Sequence, residues 1–116
     1  MNLDEAMKKH GDWKIKFHYS IANKTPMEPA LIARDNCCQL GNWLYGEAKE
    51  KYGSLPEYHS LLTQHKQFHI EAGKIAELIN AGCYEAAEAA LQENTAYSVA
   101  SKSIGVAIFR LKKIIA

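Results

Sequence analysis

Apolar residues recur along most of the chain at alternating three- and four-residue steps, the period of a helix with one buried face. Leu3, Ala6, His10, Trp13, Phe17 and Ile21 form the first such stripe and predict a helix from about Leu3 to Ala22. Asn23-Lys24-Thr25-Pro26 ends it, because proline disfavours helix in the residue before it. A second helical region follows from about Pro29 to Tyr52, interrupted by Gly41 and Gly46, with the Cys38–Trp43 stretch as a separate short helix. Gly53-Ser54-Leu55-Pro56 closes it. The third helix starts near Pro56 and ends at Asn80-Ala81-Gly82, proline suiting the first turn and glycine the C′ position. The fourth spans about Tyr84 to Ile115, with Ala87, Ala90, Leu91, Asn94, Ser98, Ser101, Ile104, Ile108, Leu111 and Ile115 as its stripe.

No hairpin dipeptide and no sustained alternation indicates a strand. Four helices with short connections predict an all-α, antiparallel four-helix bundle with one additional short helix. At 116 residues the whole chain, 1–116, reads as one domain, and 47% hydrophobic residues suffice for a core without disulfides.

Charge narrows the partners. Fourteen basic and thirteen acidic residues are spread evenly, for a net charge of +1, so nucleic acid is not an expected partner. No apolar run approaches the roughly 20 residues that cross a bilayer. The N-terminus is acidic and lacks the apolar core of a signal peptide, which makes the cytoplasm the expected location. The cysteines, Cys37, Cys38 and Cys83, are odd in number and two are adjacent, which argues against a disulfide framework.

The stripes themselves hold the candidate chemistry. His65 and His69 are four residues apart, about 40° around a helix axis, on the face of Leu61, Leu62, Phe68, Ala72, Ile75, Ala76 and Ile79. One inward histidine is ordinarily a hydrogen-bonded core residue. Two stacked on a core seam need several partners at once, which favours a metal. His10 lies on the inward stripe of the first helix and makes a third inward imidazole. His18, about 80° round from His10, and His59, about 120° from His65, fall on the surface. A cysteine thiolate with three imidazoles suits zinc, whereas iron or manganese sites lean on carboxylates. Asp35, about one turn before Cys38, is either a partner of a metal ligand or a surface carboxylate.

The segments His10-Gly11-Asp12-Trp13, Arg34-Asp35, Cys38-Gln39-Leu40-Gly41-Asn42-Trp43-Leu44-Tyr45-Gly46-Glu47, His65-x-x-Phe68-His69-x-x-Ala72 and Ile79-Asn80-Ala81-Gly82, with a final helix ending Ala107-Ile108-x-x-Leu111, together resemble the chemoreceptor zinc-binding (CZB) domains of bacterial signalling proteins. The resemblance singles out Cys38 rather than Cys37, and implies His10, Cys38, His65 and His69 as the ligands of Zn2+. It implies a homodimer, a regulatory rather than catalytic role, and a chemoreceptor or diguanylate cyclase as the signalling partner. Its expected stimuli are zinc itself, or oxidants such as hypochlorous acid acting at the metal-bound cysteine. No effector domain accompanies the sequence, so a free-standing member and a piece of a longer receptor are both expected forms. Four protein ligands leave no open position for a catalytic water, so hydrolysis is not expected. Two rivals stand beside the sensor: a zinc-stapled interaction module, and a hemerythrin-like di-iron carrier, for which three inward histidines are too few.

Overall fold

A computed structural model describes residues 1–115. It contains seven helices and, among the described residues, no strand: α1 (Leu3–Asn23), α2 (Pro29–Ile32), α3 (Gln39–Tyr45), α4 (Glu47–Tyr52), α5 (Pro56–Asn80), α6 (Tyr84–Ala90) and α7 (Ala96–Ile115). The protein is an all-α helical bundle, as the stripes predicted.

Its four legs run up, down, up and down. Asp4 on α1 meets Lys112 on α7, and Phe17 meets Tyr97, so α1 and α7 are antiparallel. The second leg, residues 29–52, lies antiparallel to α5: Ala33 touches Gly73, Cys38 reaches His65, and the Leu44 carbonyl accepts the Tyr58 hydroxyl at 2.7 Å. This leg is not one helix. Proline opens α2 and an extended residue, Cys38, opens α3.

The long helices end where their caps dictate. The Asn2 side chain accepts the Glu5 N–H at 3.0 Å and starts α1. Gly82 adopts a left-handed φ of 78° behind α5, while the Cys83 and Gly82 N–H groups bond the Leu78 and Ile79 carbonyls. The expected fourth helix from Tyr84 to Ile115 is in fact two. Asn94 is left-handed at φ 64°, and the Thr95 hydroxyl accepts the Ser98 N–H at 3.1 Å to start α7. The break resets the phase. Tyr97 and Ala100 become the buried residues of the first turns, and Ser98 and Ser101 lie only half-buried.

Phe17, Leu40, Leu44, Leu61, Phe68, Ile75, Leu91, Ile108 and Leu111 fill the core to 2% exposure or less. Three histidines, His10, His65 and His69, share that interior. They sit between α1, α5 and the second leg, with Phe68 beneath them.

Candidate metal centre

Four side chains from three parts of the chain converge at one point. His10 comes from α1, His65 and His69 come from successive turns of α5, and Cys38 comes from the residue that opens α3. Their ligand atoms all lie within 4.8 Å of one another. His18 and His59 stay outside: His18 is half-buried beside Glu88, and His59 is exposed, bonded to the Gly53 carbonyl.

Two backbone carbonyls aim the imidazoles. His10 Nδ1 lies 2.8 Å from the Ala6 carbonyl, and His69 Nδ1 lies 2.8 Å from the Ile32 carbonyl. A carbonyl only accepts, so each Nδ1 carries the proton and each Nε2 turns a lone pair to the centre. His65 Nδ1 is buried without a partner. Phe68 contacts the rings of His10 and His69 edge-on, with centroids 5.4 and 5.6 Å away.

Cys38 is held by its own helix. Its φ of −91° and ψ of 165° place it in the cap position of α3, and Sγ accepts the Gly41 N–H at 3.3 Å. Gly41 is required there because a Cβ would lie 1.8 Å from the Asp35 carbonyl oxygen. Of the four ligand candidates Cys38 alone is not fully buried. It borders a cavity of about 280 Å³ between α1 and α3, lined also by Lys9, Trp13, Lys16 and Leu40.

Asp35 makes its hydrogen bond to the Tyr45 hydroxyl rather than to a ligand. It acts on the centre by charge, favouring protonation of both Cys38 and His69. Burial sets the stronger trend. It pushes the Cys38 thiol pKa up and pulls those of His10 and His69 down; with the other two imidazoles adding to it, His65 falls to about 2. The imidazoles therefore resist protons and keep their lone pairs, while the buried thiol keeps its proton until a cation takes its place.

The separations decide what such a centre fits. A tetrahedral ion with Zn–N near 2.05 Å and Zn–S near 2.3 Å sets neighbouring nitrogens about 3.3 Å apart and sulfur about 3.6 Å from each nitrogen. Here His65 Nε2 is 3.2 Å from His10 Nε2 and 3.0 Å from His69 Nε2. Cys38 Sγ lies 3.9, 3.2 and 3.7 Å from the Nε2 atoms of His10, His65 and His69. Soft sulfur with three nitrogens, closely packed and facing inward, forms a plausible zinc site.

The family profile described as the chemoreceptor zinc-binding domain matches residues 10–76, a stretch that begins at His10 and includes the other three candidates. The chain belongs to the chemoreceptor zinc-binding family. No curated protein and no solved structure is similar enough to count as a match.

Three features of the CZB centre were missed by sequence reasoning. The Ala6 and Ile32 carbonyls are backbone and leave no mark in the sequence. The Tyr45–Asp35 bond joins α3 to the loop before it and has no spacing signature. Gly73 did leave a signal: glycine inside a helix costs about 1 kcal/mol against alanine, which implies a reason for it. That reason is α2, since a Cβ at Gly73 would stand 2.8 Å from the Ala33 Cβ. The contact lets the second leg approach α5 closely enough for the Ile32 carbonyl to reach His69.

Proposed function

We propose that the protein is a zinc-binding regulatory domain of bacterial signal transduction, with His10, Cys38, His65 and His69 as ligands and Cys38 as the point where oxidants act. The observation that carries this reading is the convergence of one half-buried sulfur and three buried imidazoles at tetrahedral separations. A bound zinc ion supplies the positive charge that holds the cysteine as a thiolate, the form that reacts with hypochlorous acid and peroxides.

This chain's residues then do three things. His10 joins α1 to α5, while His65 and His69 supply two donors from one rigid helix. Cys38 joins the start of α3 to both. Occupancy of the centre is thus also cohesion between α1, α3 and α5. Conversion of the thiolate to a sulfenic acid weakens Cys38 as a ligand and as acceptor for the Gly41 N–H, so oxidation alters metal retention and the start of α3 together. With four protein donors no position remains for a reactive water, which favours regulation over catalysis.

Exposed apolar residues on the outer faces of α1 and α7 (Ile15, Tyr19, Val99, Val106 and Phe109) support a homodimer through those helices. Among the described residues no helix is long and apolar enough to cross a membrane. The proposed setting is the cytoplasm, with a chemoreceptor or diguanylate cyclase module receiving the signal.

The test is metal content by mass spectrometry on the wild type and on Cys38→Ala, followed by a hypochlorous acid titration with a zinc-release dye. One zinc per chain, weakened by the substitution and released by oxidant, is the expected result. Zinc retained through the titration refutes oxidant sensing and leaves a zinc sensor or a structural staple. Absence of zinc uptake refutes the metal assignment.

A further inference from the structure

Cys37 is the one reactive side chain beside the centre to which the zinc-binding reading gives no role. It sits in the non-helical segment between α2 and α3, exposed to solvent, and its thiol donates to the neighbouring Asn36 side chain at 3.4 Å. Cys38 follows directly, half-buried, with its sulfur turned inward to the imidazoles. The two thiols are thus covalent neighbours on opposite sides of the chain, one facing solvent and one facing the metal centre.

We propose that Cys37 is the resolving thiol for Cys38, converting an oxidised Cys38 into a vicinal Cys37–Cys38 disulfide that thiol reductants reopen. The proposal rests on the oxidation of Cys38 put forward above and adds its chemical outcome. In the first step the Cys38 thiolate attacks the chlorine of hypochlorous acid, the Cl–O bond breaks, and hydroxide leaves. Water then replaces chloride on sulfur, releasing chloride and a proton and leaving Cys38 as a sulfenic acid, oxidised by two electrons. In the second step the Cys37 sulfur attacks the Cys38 sulfur. The S–S bond forms, the S–O bond breaks, and the hydroxyl group departs as water with the Cys37 proton.

Position favours Cys37 over the third cysteine. Cys83 lies beyond the far end of α5, whose last residue, Asn80, is eleven residues past His69, about 16 Å along the axis. Cys37 needs only a rotation within its own non-helical segment, residues 33–37, between α2 and the cap of α3. Adjacent Cα atoms stand about 3.8 Å apart, short of the usual disulfide range of about 4.4–6.8 Å. The bridge is therefore strained, and strained disulfides are the readily reduced ones. That property suits a reversible signal. Closing the bridge also turns the Cys38 sulfur away from the imidazoles and from the Gly41 N–H, so the oxidised form lacks both the fourth ligand and the cap of α3.

Zinc-loaded protein is treated with hypochlorous acid, with and without a dimedone-type sulfenic acid probe, and digested with trypsin. Residues 35–49 form one tryptic peptide, which contains both Cys37 and Cys38 but not Cys83. Loss of two hydrogens from that peptide, reversed by dithiothreitol, is therefore diagnostic of the vicinal bridge. The wild type and Cys83→Ser are expected to give it, with little probe adduct. Cys37→Ser, an exposed substitution, is expected to give the probe adduct on Cys38 instead. With excess oxidant it should recover several-fold less zinc binding after reduction, because the sulfenic acid advances to sulfinic acid. Zinc release with equal Cys38 adduct in wild type and Cys37→Ser overturns the role of Cys37 while leaving the sensing reading intact. An unmodified Cys38 with zinc retained overturns both.

Discussion

Replacing Gly41 by alanine tests whether the packing of α3 against the preceding loop positions the metal ligand. The new Cβ would start 1.8 Å from the Asp35 carbonyl oxygen, 2.8 Å from its carbon and 3.2 Å from the Asn36 Cα. All three atoms are backbone, so no side chain can swing aside. Ordinary carbon–oxygen contact begins at about 3.3 Å, so the loop and the helix must separate by about 1.5 Å. Cys38 lies between them, and ligand distances tolerate only about 0.2 Å. Alanine keeps the N–H that Cys38 Sγ accepts, so the change is steric and removes no ligand. Overpacking of this kind costs about 1–3 kcal/mol of stability. Misdirected ligands cost about 10–100-fold in metal affinity. The assay is competition for zinc against a chelating chromophore, beside thermal melts of metal-free protein. Gly11→Ala is the control: it adjoins His10, a Cβ there meets nothing within 4 Å, and α1 gains about 0.5–1 kcal/mol of helix preference. If Gly41→Ala binds zinc within twofold of wild type, the packing of α3 does not set the position of Cys38.

Three further outcomes are expected. Zinc at about 100 times its dissociation constant should stabilise the fold by about 2.7 kcal/mol and raise Tm by about 10 °C, read by calorimetry; an unchanged Tm would show that the ion does not join the legs. In metal-free protein the folded pKa values of His10, His65 and His69 lie below the unfolded value near 6.5, so the unfolded chain takes up protons first. Stability should hold above pH 6.5 and fall steadily from there toward pH 5, with zinc lost in the same window; a pH-independent melt over that range would contradict burial of three neutral imidazoles. Asn80→Ala removes two hydrogen bonds, at 2.8 and 2.7 Å, that hold the Met27 backbone N–H and carbonyl. About 1 kcal/mol should be lost, with faster hydrogen exchange at the Met27 amide; unchanged exchange there would mean the segment before α2 is held by other contacts.

The histidines were legible because helical period converts spacing into direction. His65 and His69 on the face of Phe68 and Ala72 had to point inward once that face was the core, and His10 had to follow Ala6 and Phe17. Cys38 was legible only through its motif, since Cys37 and Cys38 are equivalent to any spacing argument. The structure distinguishes them by the cap: the residue whose sulfur accepts the Gly41 N–H is turned in, and its neighbour is turned out. The break between α6 and α7 went unseen because no glycine or proline marks it. Its signal was subtler, an Asn94-Thr95 pair in which asparagine tolerates the left-handed turn and threonine caps the next helix.

The orienting bonds explain why a sequence can show the ligands of this centre and not what aims them. His10 is aimed by the carbonyl of residue 6 and His69 by the carbonyl of residue 32, and almost any amino acid at those positions offers the same acceptor. What the sequence must encode instead is the approach of the chains. Gly73 lets α2 come near α5, Gly41 lets α3 fold over Asp35, and Asn80 ties Met27 before α2 begins. None of these residues is itself a ligand, yet each fixes where a ligand or its acceptor stands. His65 is the exception, with no acceptor at Nδ1 and its direction set by packing against the His10 and His69 rings and Cys38. It is also the imidazole nearest to Cys38 and is within 3.2 Å of both other nitrogens. The donor that all the others meet is thus the one with no hydrogen bond behind it, and its orientation depends most on whether the shared ion is bound.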